Sequence, residues 1–108
     1  MKMTGMTKKD IINAQTGSIK LQAMKDKVIS VTGLAVGDAL DNETGENKAV
    51  GYLATKEGVY GTISATVIPA IENIIDAVDD GDITLPCDVK VIERKSNAGR
   101  EFLTLCIR

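Results

Sequence analysis

Histidine and tryptophan are both absent from this 108-residue sequence, and its aromatic residues are only Phe102, Tyr52 and Tyr60. Without histidine, the commonest general base and the commonest transition-metal ligand are missing. No Cys-x-x-Cys pair and no tight carboxylate cluster of metal-ligand spacing makes up for it, so zinc modules and most metalloenzymes are excluded. The two cysteines, Cys87 and Cys106, both lie in apolar runs, where a thiol behaves as a small hydrophobe; they read as buried or half-buried free thiols. No apolar run approaches the ~18–20 residues of a membrane span. The stretch from Met1 to Asp10 lacks the apolar centre of a signal peptide, which makes the cytoplasm the expected location. Charge of one sign is lacking too: 13 basic residues face 15 acidic ones, net −2. Any attraction to nucleic acid must therefore come from a local basic patch.

What is present reads as one domain, with an N-terminal arm or short helix over residues 1–18 and no internal repeat. From Val28 to Val36 the chain is apolar and β-branched and carries Gly33, as a long, bent strand would. A polar run, Asp41 to Asn47, reads as an exposed hairpin loop. Lys48–Thr55 and Val59–Ser64 follow as two strands. If Lys56-Glu57-Gly58 is a three-residue loop, Leu53, Val59 and Ile63 share one face, and Lys48, Tyr52, Tyr60 and Thr62 share the other, more polar one; a two-residue turn would separate the tyrosines. Val67, Ile71, Ile74, Ile75 and Val78 recur at helical spacing after Ser64 or Thr66 as cap, and Gly81 ends the helix. Cys87–Arg94 and Phe102–Ile107 alternate around a Ser96–Gly99 turn and form a closing hairpin.

The order strand, strand, strand, helix, strand, strand, with a glycine-bent first strand, is that of a five-stranded Greek-key barrel of the OB type; a flat five-stranded sheet crossed by one helix shares it. In an OB barrel the ligand surface is formed by strands two and three and by the loops between strands one and two and between four and five. Those positions hold Tyr52 and Tyr60, Lys48 and Lys56, and Arg94, Lys95 and Arg100. Aromatic rings on which bases stack, beside cations that follow phosphates, suit single-stranded nucleic acid. Each feature also has a plainer reading. Tyrosines are ordinary strand formers, and Arg94, Lys95 and Arg100 beside Glu93 and Glu101 also describe a solvated hairpin with charges paired across it. Phe102 reads as core or rim packing, and Asp79, Asp80 and Asp82, which lack EF-hand spacing, as a solvated helix end.

Three stretches carry a resemblance: Ile12-Asn13-Ala14-Gln15-Thr16-Gly17, Lys56-Glu57-Gly58-Val59-Tyr60-Gly61-Thr62-Ile63-Ser64, and Ser96-Asn97-Ala98-Gly99-Arg100-Glu101-Phe102-Leu103-Thr104-Leu105. Together they resemble the single-stranded-DNA-binding proteins of small tailed phages that replicate by protein priming. The resemblance implies an OB-type protein that coats displaced single strands without sequence preference and without a cofactor. It also implies surface tyrosines as DNA contacts, a role that Tyr52 and Tyr60 can fill. With so few aromatics, binding leans on electrostatics and weakens with salt. The last residues, Leu105-Cys106-Ile107-Arg108, are not acidic, so recruitment of partners through an acidic tail is not expected.

The competing reading is a structural or assembly protein that associates with copies of itself and has no nucleic-acid role. An enzyme using Asp38 and Asp41 near Lys56 is the poorest option, since no spacing demands it. Neither a small-molecule substrate nor a membrane partner is expected.

Overall fold

The computed structural model describes residues 2–40 and 43–108. Strand β1 (Lys2–Thr4) leads into a turn at Gly5 and helix α1 (Lys8–Gly17), so the expected arm is both a strand and a helix. Thr7 caps α1 with a reciprocal pair of bonds. The Thr7 N–H donates to Asp10 Oδ2 at 2.9 Å, and the Asp10 N–H donates to Thr7 Oγ1 at 3.3 Å. Strand β2 (Ile19–Lys20) and a short 3₁₀ turn, Leu21–Met24, bring the chain back to the body, with Leu21 fully buried.

The bent strand is two strands, β3 (Val28–Val31) and β4 (Gly33–Leu40), which part at Thr32. The cause is close backbone approach. A Cβ on Gly33 would lie 2.6 Å from the Gly5 carbonyl oxygen and 2.5 Å from Met6 Cγ, so only glycine lets the N-terminal segment cross here. Thr32 ties the break to the next strand but one, donating from its N–H to the Ala54 carbonyl at 2.8 Å. Strands β5 (Asn47–Thr55) and β6 (Gly58–Thr62) complete an antiparallel meander with β4. Of the polar loop between β4 and β5, Asp41 and Asn42 lie outside the described residues; Glu43 to Glu46 form its turn. Helix α2 (Val67–Asp79) and the hairpin β7 (Cys87–Lys95) and β8 (Glu101–Ile107) follow, at the positions their patterns require.

The result is mainly β, with two sheets and two α-helices among the described residues. One sheet has the order β1-β4-β5-β6-β2, and the other β3-β7-β8. The expected five-stranded barrel is not closed, and a single flat sheet is not formed either. Closure would need β6 to pair with β8, but the edge of β6 is taken by β2, parallel, with Ile19 opposite Tyr60 and Lys20 opposite Gly61.

The main core lies between the sheets: Ile29, Val31, Val89 and Val91 from the smaller, Leu34, Leu53 and Tyr60 from the larger, and Ile71 and Ile75 from α2. Each such aliphatic side chain stabilises the fold by about 1.5–3 kcal/mol. Gly51 lets α2 approach, since a Cβ there would meet Ile71 Cδ1 at 2.6 Å. A second core occupies the outer face of the larger sheet, where Met6, Ile11 and Ala14 pack on Ala35 and Tyr52. The acidic end of α2 has a partner: Lys2 forms an ion pair with Asp76, and that bond, reinforced by the charges of Glu72 and Asp79, raises the Lys2 pKa.

Candidate nucleic-acid interface

The β5–β6 turn decides where the tyrosines point. Thr55 pairs with Gly58, leaving a two-residue turn, Lys56-Glu57. The Thr55 hydroxyl holds it, accepting from the Glu57 N–H at 3.2 Å and donating to the Gly58 carbonyl at 2.9 Å, while Gly58 takes a φ of 150°. With one loop residue fewer than the three-residue reading, the face assignment of β6 is reversed. Tyr60 stands opposite Leu53 and enters the main core, whereas Tyr52 stands opposite Gly61 and faces α1. The two rings are on opposite faces, which corrects the shared face expected from the sequence. They are 4% and 6% exposed, so each presents no more than an edge to solvent.

Tyr52 helps to line a groove of about 500 Å3 on the outer face of the larger sheet. Val50, Tyr52 and Gly61 make the floor, Ala14, Gln15 and Ser18 of the α1 end make one wall, and Thr62 of β6 and Leu103 of β8 also border it. Gly61 leaves space that a side chain would fill: a Cβ there would lie 2.8 Å from Ser18 Oγ and 3.4 Å from the Tyr52 ring. Burial raises the Tyr52 pKa above 10.0, so its hydroxyl stays protonated and able to donate at neutral pH. Ile63, at the rim, is 68% exposed. The remaining rim is neutral and hydrogen-bonding, with Gln15, Gln22 and Ser64, apart from Lys20.

The five cations fall into two groups. Lys48 lies on the groove face of β5, two residues before Val50, and the β7–β8 hairpin that supplies Leu103 carries Arg94, Lys95 and Arg100 near its tip. That tip is well fixed: the Ser96 N–H donates to the Arg100 carbonyl at 2.8 Å, the Arg100 N–H donates to Ser96 Oγ at 3.2 Å, and Gly99 has a φ of 81°. The hairpin is clasped to the body by the Thr66 hydroxyl, which donates to the Leu103 carbonyl at 2.7 Å. Lys56 is elsewhere. It joins Tyr60, Met24 and Val28 around a separate hollow of about 190 Å3. Lys48 and Lys56, eight residues apart on an extended strand, are separated by about 27 Å.

The acid–base arrangement considered for an enzyme is not assembled. Asp38 is in register with Ala49, seven residues before Lys56 and so about 24 Å away, and Asp41 lies outside the described residues. Among the described residues, no three His, Cys, Asp or Glu side chains are grouped to hold a metal ion, and no helix is long and apolar enough to cross a membrane. Both cysteines are free; Cys87 is half-buried, as expected, but Cys106 is exposed.

Gln15 and Ser18, which wall the groove, and Lys20 on its rim are not among the residues expected from the sequence; for the first two the cause is that residues 1–18 show no sustained periodicity. Thr7 and Asp10, three residues apart ahead of Ile11, are the capping signal that marks the helix.

The pattern that defines the family described as phage single-stranded DNA-binding protein matches residues 3–108. No curated protein and no solved structure matches the chain.

Proposed function

Because the chain belongs to the phage single-stranded DNA-binding protein family, its function is to bind single-stranded DNA in phage replication, and we propose that the strand is held in the Tyr52 groove and along the β7–β8 hairpin. Bases enter the groove, where the Tyr52 ring, the exposed Ile63 and a rim that is neutral except at Lys20 suit them. Phosphates lie on Lys48, Arg94, Lys95 and Arg100. Tyr60 and Lys56 provide a second contact at their own hollow. The observation that carries this reading is the placement of Tyr52 and Leu103 in one groove, because it joins the aromatic floor to the hairpin that bears three cations.

The fold we read as an open OB-type Greek key. In its favour, β3 and β4 together act as one bent strand that enters both sheets, β3 pairing with β7 and β4 with β5. Binding is sequence-indifferent, since base stacking and phosphate contacts carry no base code. The protein coats and protects strands in the host cytoplasm and performs no catalysis.

Fluorescence anisotropy of a labelled strand of roughly 30 nucleotides and of its duplex, at low and ~200 mM salt, tests the proposal. The single strand binds and the duplex binds little. Tyr52→Ala weakens binding by about 1–3 kcal/mol with an unchanged salt slope, while replacing Arg94, Lys95 and Arg100 by alanine flattens the slope by about 0.7 for each phosphate interaction removed. Equal affinity of Tyr52→Ala and the unsubstituted protein would remove Tyr52 from the site.

A further inference from the structure

Gln22, Ser64 and Leu103 line not only the Tyr52 groove but also a shallower hollow of about 460 Å3, bounded by Phe102. The two depressions share a border, so a strand leaving the groove past Leu103 meets Phe102 next. Phe102 is half-buried and keeps part of its surface accessible.

The register of the hairpin sorts its charges by face. On the inward face Lys25 bonds Glu93 at 3.1 Å, and Lys95 stands opposite Glu101 in register without an ion pair to it. On the outward face Arg94 stands opposite Phe102 and Lys90 opposite Cys106. Among the described residues, neither Lys90 nor Arg94 has an acid within ion-pair distance. The one acid on this face of β7, Asp88, is two residues from Lys90 and six from Arg94, and it forms no ion pair with either. The hollow itself is bordered by Glu93 and Glu101, which repel phosphates and leave it to a base. An accessible ring beside unmatched cations on an open sheet face is complementary to a polyanion with planar bases.

We propose that Phe102 is a second base-stacking residue, and that a single strand seated in the Tyr52 groove continues across Phe102 onto Arg94 and Lys90 on the outward face of β7. This extends the single-strand reading of the groove and rests on it.

The absence of tryptophan provides a direct test. Phe102→Trp places the only indole at the proposed contact, and its emission is followed while an oligothymidine is added and binding is monitored independently by anisotropy. Emission is quenched in step with the rise in anisotropy. In parallel, Phe102→Ala binds roughly 5- to 150-fold more weakly, and Lys90→Ala flattens the salt slope by about 0.7. If anisotropy saturates while the indole emission is unchanged, and Lys90→Ala keeps the full slope, the inference is overturned and the groove stands without it. If the unsubstituted protein does not bind the single strand, the groove reading and this extension fall together.

Discussion

Gly33→Ala tests how the N-terminal segment is held, and through it one wall of the groove. The new methyl carbon would lie 2.6 Å from the Gly5 carbonyl oxygen and 2.8 Å from its carbon, where ordinary contact begins at 3.4 Å. Gly5 must retreat by about 0.8 Å, the difference between 3.4 and 2.6 Å, and being backbone it cannot rotate away. A forced shift of this kind costs about 1–3 kcal/mol. If the segment detaches instead, the loss of Met6 burial alone costs about 1.5–3 kcal/mol, to which the β1–β4 pairing adds. The cheaper route sets the loss, a destabilisation of about 1–3 kcal/mol. Urea unfolding followed by circular dichroism measures it, as a lower midpoint with little change in m. The decisive comparison uses a chain lacking residues 1–6, in which the same substitution should cost under about 0.5 kcal/mol, because distant independent changes add while contacting ones do not. An equal cost in both backgrounds would refute the crossing of Gly5 over Gly33 as the cause.

Thr66→Val removes the hydroxyl that clasps Leu103 and lowers stability by about 0.5–1.5 kcal/mol, with faster amide exchange in β8 as the accompanying sign. Asp10 has its pKa held below 3.8, chiefly by the bond from the Thr7 backbone N–H and then by its side-chain bond with Thr7. Its contribution is therefore present above the ordinary carboxylate value and lost as the pH falls through the lower folded one. Thermal melts should show Asp10→Asn less stable than the unsubstituted chain at neutral pH, with the gap closing at pH values below about 4.

Helix α2 and the β7–β8 hairpin are legible in the sequence because each has a strong local signature: Val67, Ile71, Ile74 and Ile75 at helical spacing, and two alternating runs around Gly99. The bend at Gly33 is legible as well, though not its reason, which is a neighbour 28 residues earlier in the chain. The tyrosine faces are not, because a single residue of loop length reverses β6. Gly58 resembles the left-handed position of a longer loop, whereas the Thr55 hydroxyl closes a shorter one. The pairing of β2 with β6 has no sequence signal: two residues, Ile19 and Lys20, cannot show a periodicity. For the same reason nothing in the sequence marks the open seam between β6 and β8. Of the candidate site, the residue types are legible and their grouping is not, since Lys48 and Lys56 flank one strand in sequence but occupy opposite ends of the sheet.

The borders of the larger sheet are β1, three residues long, and β2, two residues long, both supplied by the segment ahead of Leu21. Long bare strands at such borders invite other chains to pair with them, and borders this short offer almost nothing to copy. The longer borders belong to the smaller sheet, β3 with four residues and β8 with seven, so pairing with another chain would fall there and not on the sheet that carries the groove.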